Sequence, residues 1–297
     1  MDTLLVIGCG DIARRALPEL QKRYRVSALV RDRDPVLAAA GVELIEGDLD
    51  HPQSLAQLGG RASFIAHLAP PPENGVTDSR TRNLLAALER REQSAIGRGA
   101  GMLPQHFLYL STSGVYGDCG GARVDETSPP CPSSGRAQRR LDAERAIQDW
   151  GARLGIRTLI FRVPGIYASD RLPLERLRRG APALRAEDDV YTNHIHADDL
   201  ASAVVVGLER NGIQGIFNVN DDSEIKMGDY FDLVADRQGL PRPSRVTRTE
   251  AQRLLPPAQL SFMSESRRLV NRRMKLELGV SLRYATVADG IPALAVA

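Results

Sequence analysis

Thr3-Leu4-Leu5-Val6-Ile7-Gly8-Cys9-Gly10-Asp11-Ile12-Ala13 lies at the start of the chain and decides how the rest is read. A β-rich apolar run ends in Gly-x-Gly, and Ile12, Ala16, Leu17 and Leu20 then follow at helical spacing. Strand, glycine turn and helix in this order form G-x-G-x-x-A, the arrangement that grips a dinucleotide. Gly8 permits the tight turn, Gly10 lets backbone approach a pyrophosphate, and Ala13 keeps the helix close to the strand. The helix start at Asp11 and Ile12 offers backbone N–H groups to phosphate. The Asp11 carboxylate also suits the positive end of a helix. A glycine turn that binds nothing is the plain alternative.

Outward from this loop, Arg25–Val30, Val42–Ile45, Ser63–Ala69, His106–Leu110 and Thr158–Val163 are further strand candidates. Helical patterns over Asn83–Arg91 and Arg136–Leu154 lie among them. Such alternation predicts an α/β fold, a Rossmann-like doubly wound parallel sheet with helices on both faces. Pro70-Pro71-Pro72, Gly97–Gly101 and Pro129–Gly135 mark loops. The second half is richer in Arg and Pro and reads as mostly helical. After the second strand comes Val30-Arg31-Asp32-Arg33-Asp34. A carboxylate here would hold the ribose 2′-hydroxyl of NAD, and an arginine would accommodate the 2′-phosphate of NADP. Arg31 comes first, so NADP is the expected cofactor; Asp32 keeps NAD open.

The chain has 297 residues, with 39 Lys+Arg against 37 Asp+Glu. A net charge of +2 supplies no field for nucleic acid or an anionic membrane. No apolar run approaches the ~20 residues of a membrane span, and no signal peptide is legible. The expectation is a cytoplasmic protein, monomer or homodimer, with no nucleic acid or membrane partner. The three cysteines share no metal spacing, and Cys9 reads as a small packed side chain. His194-x-His196 would place two imidazoles on one strand face, but no third ligand is suitably spaced. Asp198 reads instead as the N-cap of a helix through Leu208, and no metal is expected. Only Lys22, Lys226 and Lys275 are lysines, so none lies between positions 22 and 226.

Six ordered segments resemble the extended short-chain dehydrogenase/reductase superfamily, specifically the NAD-dependent epimerase/dehydratase group. They are Gly47-Asp48-Leu49, His67-Leu68-Ala69, Leu110–Asp118, Phe161–Tyr167, His194–Ala201 and Phe217-Asn218-Val219. The resemblance implies adenine contacts at Asp48 and Leu49, and passage of the cofactor beside Ala69. It also implies a smaller substrate-side lobe, discontinuous and C-terminal, from residues 167–189 and 221–297. The Rossmann-like body then takes 1–166 and 190–220. Gly8, Gly10, Arg31, Asp48, Leu49, Ala69 and Thr112 would line the crevice at the switch point of the sheet. The implied substrate is a sugar nucleotide or similar small molecule, with an anionic one open.

In that family a Ser/Thr, a Tyr and a Lys four residues later form the catalytic set. Thr112 matches the first. Counted back from Glu144, the other two positions hold Arg136 and Arg140. No lysine lies four beyond any tyrosine, so the Tyr-x-x-x-Lys pair is absent. Arginine keeps its proton and cannot replace tyrosine as an acid or base. Tyr116, Tyr191, His194, His196 and Asp118 are candidate proton sources, although Tyr116 packs away from the reacting carbon in the family pattern. At ~100° per residue Arg136 falls on the stripe of Ala143, Ile147, Trp150 and Leu154, with Arg140 at its edge. Arg136 is therefore expected to point toward protein, where an anion, an internal carboxylate or a frayed first turn would receive it. Arg171, Arg176, Arg178 and Arg179 read first as an exposed helix face and second as a phosphate site. Two functions stay open: an atypical NAD(P)-dependent oxidoreductase or epimerase-like enzyme, and a non-catalytic NADP-binding sensor or scaffold.

Overall fold

The computed structural model describes residues 1–90 and 103–293. The Gly97–Gly101 loop and Arg91, expected to end a helix, lie outside the described residues. Seven strands form the main sheet: β1 Asp2–Ile7, β2 Tyr24–Val30, β3 Glu43–Glu46, β4 Phe64–His67, β5 His106–Thr112, β6 Arg157–Val163 and β7 Gly215–Asn218. Their spatial order is β7-β6-β5-β4-β1-β2-β3, and every pairing is parallel. The chain winds outward one way from β1 to β3 and returns to β4 on the other side of β1. That reversal opens a crevice over the carboxyl ends of β1 and β4.

Both sheet faces are covered, so the central strands are apolar throughout rather than alternating. Helices α1 (Asp11–Leu20) and α4 (Ala197–Glu209) cover one face, burying Ala16, Leu17, Leu200 and Val204 with Leu108 and Phe161. Helices α2 (Ser79–Glu89) and α3 (Gly135–Leu154) cover the other, with Leu84, Leu88, Ile147 and Trp150 against Phe107 and Ile160. Helix α2 starts earlier than its apolar spacing suggests because the buried Asp78 side chain accepts the Thr81 N–H and caps it. Helix α3 starts at the Ser134 cap and ends at Gly155 in the left-handed region.

A third apolar cluster draws Leu177, Leu184, Phe231, Val234, Leu255 and Met263 from beyond β6. Short helices and two-residue strands surround it, among them the parallel pair Ala183–Leu184 and Arg245–Val246. Met274, Leu278 and Val280 instead bury in the α1–α4 side of the main core. The tail of the lobe is thus fastened to the Rossmann-like body. Among the described residues no helix is long and apolar enough to cross a membrane, and no three His, Cys, Asp or Glu side chains gather to hold a metal.

Candidate functional site

Backbone geometry builds the first half of the site. Gly8 leaves β1 with φ +90°, and a Cβ there would lie 2.4 Å from the Ala69 backbone nitrogen. Only glycine fits that close approach. Gly10 is different: a Cβ on it would meet nothing within 4 Å. It is the N-cap of α1 and caps with no side chain, so the first N–H groups of the helix have no side-chain partner. Ile12 is buried in the core and offers only backbone to a ligand. The Asp11 carboxylate is already paired, with Arg15 at 2.8 Å and Arg171 at 2.9 Å.

A pocket of about 380 Å³ adjoins this turn, with Gly8, Arg31, Asp48, Leu49 and Ala69 on its wall. Asp34 caps the short helix Pro35–Ala39 and binds Arg14 at 2.5 Å, which takes both charges out of play. Arg31 and Asp32 remain on the pocket, and Arg31 makes no hydrogen bond or ion pair among the described residues. Arg33 does not reach the wall. Arg80, which no sequence motif marks out, does, held by Asp50 at 2.6 Å. Asp48 Oδ1 accepts the Asp50 N–H and closes its turn. Cys9 is packed, as expected, and burial pushes its thiol up to about 11.

The second half is a larger cleft, about 800 Å³, between the ends of β5 and β6, the first turns of α3, and the lobe. Thr112, Arg136 and Arg140 all reach it. Thr112 Oγ1 accepts the Gly114 N–H at 3.2 Å, which leaves its own proton to donate outward. Arg140 Nη1 donates to the carbonyls of Leu110 (2.8 Å) and Ala69 (3.2 Å) and to the Tyr109 hydroxyl (3.0 Å). It ties the end of β5 to the residues just after β4. Beneath it His67 is buried with Nε2 3.0 Å from Thr81 Oγ1, and desolvation pushes its imidazole down to about 3.

Arg136 is not aimed at protein interior, contrary to the helical-stripe expectation. It is exposed at the lip of the cleft, with Cζ 4.9 Å from the centre of the Phe262 ring. The reason is length. A 20-residue helix runs ~30 Å and a seven-residue strand ~23 Å, so the first turn of α3 overhangs the sheet. The face that is core at Ile147 has no sheet beneath it at Arg136.

Glu144, one turn beyond Arg140, is fully buried. It accepts from Ser111 Oγ and holds the buried Arg162 at 2.7 Å, which fixes α3 against β5 and β6. Tyr116 does not face the cleft: its hydroxyl donates to Asn218 at 2.8 Å, and Arg162 lies over its ring. His194 is stacked on Tyr230 and pushed down to about 3 by burial. His196, not Asp198, is the N-cap of α4; its Nδ1 accepts the Asp198 N–H at 3.2 Å. The helix begins earlier than expected because an imidazole acceptor does the capping. Asp118 receives the Ser266 and Gly120 N–H groups and stays off the cleft. Of the five proton candidates only Tyr191 reaches the cleft wall.

The basic cluster divides. Arg171 reaches the cleft, Arg176 is spent on Pro182 and Gln259, and Arg179 pairs with Glu175. The lobe adds Phe262, Glu265 and Arg267, with Glu265 and Arg267 paired at 2.8 Å. Sequence reasoning missed these three. No local spacing marks them, because they are brought in from about 110 residues beyond the end of α3.

A glycine turn bordering a pocket at the switch point of a parallel sheet defines a dinucleotide-binding type of α/β fold. The family model for the NAD dependent epimerase/dehydratase family matches residues 4–220, and the chain belongs to that family. Among solved structures it is similar to a functionally unknown conserved protein from Silicibacter pomeroyi DSS, at 29% identity and TM-score 0.75, covering 98% of this chain and 96% of that one. A putative NAD-dependent epimerase/dehydratase from Methylobacillus flagellatus matches at 25% identity and TM-score 0.71, covering 97% and 96%. The UDP-glucose 4-epimerase of Thermus thermophilus, solved with NAD, matches in fold at 20% identity and TM-score 0.74, over 97% and 96%. No curated protein matches the chain.

Proposed function

We propose that the protein binds NADP across the Gly8–Gly10 turn and acts, as an atypical oxidoreductase or epimerase-like enzyme, on a sugar nucleotide or similar small molecule in the larger cleft. The observation that carries this reading is the hydrogen bond that links the two pockets. Ala69 lies on the smaller one, and its carbonyl takes a hydrogen bond from Arg140 of the larger. The residues fit the cofactor: Gly10 leaves open space where a phosphate would lie, and Arg31, with no hydrogen bond or ion pair among the described residues, is a cation where a 2′-phosphate would emerge.

A bound nicotinamide would supply hydride acceptance and donation. The chain's own residues orient the substrate. Thr112, its lone pair engaged by Gly114, turns its O–H toward a substrate oxygen. Arg140 ties the ends of β4 and β5 together and would stand in the lysine's place beside a bound ribose, without the ability to tune a tyrosine. Neither arginine gives up a proton. Glu265 is committed to Ser133 and Arg267, which leaves Tyr191 as the proton carrier on the cleft wall.

Calorimetric titration with NADPH and NADH tests the cofactor. NADPH is expected to bind more tightly. Arg31→Ala is expected to weaken it about tenfold, the ~1.5 kcal/mol of a charge-assisted hydrogen bond, with NADH unchanged. Failure of both dinucleotides to bind at millimolar concentration sinks the reading. The lost Tyr-Lys pair favours a second reading, a non-catalytic NADP sensor; wild-type turnover of any sugar nucleotide excludes it.

A further inference from the structure

Four arginines reach the larger cleft, and their partners differ. Arg171 is neutralised by Asp11 at 2.9 Å and Arg267 by Glu265 at 2.8 Å. Arg136 has no hydrogen bond or ion pair among the described residues, only the Phe262 ring. Arg140 spends Nη1 on three neutral oxygens and leaves Nε and Nη2 without a partner among the described residues. Two guanidinium groups one helical turn apart therefore reach the cleft with no carboxylate hydrogen-bonded to either among the described residues; the buried Asp78 carboxyl acts on Arg140 only through space.

Their place is the reacting end. A Cβ on Gly114 would lie 3.5 Å from both Ala137 Cβ and Thr112 Oγ1, so the first turn of α3 abuts Thr112. Arg140 bonds the carbonyl of Leu110, two residues before Thr112. A neutral sugar ring bound here would strip water from two guanidinium groups and return only hydroxyl acceptors, which are weaker than charged ones. An oxyanion would engage their planar forks and recover that cost.

We infer that Arg136 and Arg140 form an oxyanion subsite beside Thr112, and that the substrate carries a carboxylate or phosphoryl group on its reacting moiety. This rests on the proposed function for the reaction, but not for the binding itself. Where a neutral hydroxyl would be met by Tyr and Lys, this chain meets an anion. The ring of Phe262, held under Arg136, gives that subsite an apolar lip.

The test is calorimetry on the NADPH-loaded protein with UDP-glucuronate and UDP-glucose, which differ by a carboxylate on the sugar. Tartronate and inorganic phosphate are the small probes that separate carboxylate from phosphoryl recognition. UDP-glucuronate is expected to bind about tenfold more tightly than UDP-glucose, or one small oxyanion to bind on its own. Arg136→Gln should abolish that preference while the NADPH affinity stays within about twofold. Arg136→Lys should restore only part of it, since the charge returns without the fork. Equal affinity for the two nucleotides without small-oxyanion binding, an unchanged preference in Arg136→Gln, or no oxyanion binding at millimolar concentration overturns the inference. If NADPH fails to bind but an oxyanion still binds through Arg136, the cofactor reading falls and the subsite stands.

Discussion

The pocket over β1–β4 and the cleft beside α3 are linked by the Arg140–Ala69 hydrogen bond and built in opposite ways. The first is a product of backbone: a positive φ at Gly8, an open Gly10, uncapped N–H groups at the start of α1. The second is a product of side chains, with Thr112 and two arginines from the body and Phe262, Glu265 and Arg267 from the lobe. The first keeps the consecutive glycine turn at the head of α1. In the second, Arg136 and Arg140 stand where the sequence resemblance leads one to expect a Tyr and a Lys. A backbone site tolerates little change without collapse, whereas a side-chain site can be refitted for a different ligand on the same frame.

The largest expected effect lies under the cleft. Glu144→Ala would leave Arg162 buried and unpaired and should cost about 4 kcal/mol of stability, read by urea unfolding. A loss under about 1 kcal/mol would mean that α3 is not anchored through this pair. Next comes Gly8→Ala, where a positive φ and a backbone clash at 2.4 Å together should cost about 3 kcal/mol and abolish dinucleotide binding.

Between body and lobe, Asp221 adds a pH dependence. It is buried, its Oδ2 has no partner among the described residues, and desolvation raises its carboxyl from 3.8 to about 7. The folded protein thus holds this proton more tightly than the unfolded chain does. Asp221 stability is fully present below its unfolded pKa and is lost as pH rises toward 7. Asp221→Asn should match wild type near pH 4 and exceed it by on the order of 2 kcal/mol at pH 8. Equal stability at both pH values would refute the assignment. The smallest effect sharpens the contrast between the glycines. Gly10→Ala should change stability by less than about 0.5 kcal/mol, since nothing crowds its Cβ, yet weaken NADPH.

How legible this is in the sequence follows the same division. Strands β1 to β6 and helix α3 are readable within a residue or two, because burial on both faces writes continuous apolar runs and a helical stripe. The glycine turn is readable because its residues are consecutive. The direction of Arg136 is not, since periodicity gives the face of a helix but not where the sheet beneath it stops. The start of α4 is misplaced because His196, rather than Asp198, caps it.

The sequence by itself determined the α/β alternation, the G-x-G-x-x-A turn and the absence of a Tyr-x-x-x-Lys pair. Each is a matter of identity and local spacing, which folding cannot alter. Only the tertiary structure decided which arginines keep uncompensated charge. That depends on carboxylates such as Asp11, which stands 160 residues from Arg171 along the chain and 2.9 Å from it in space. Electrostatic balance is settled by distance in space, and distance along the chain does not reveal it.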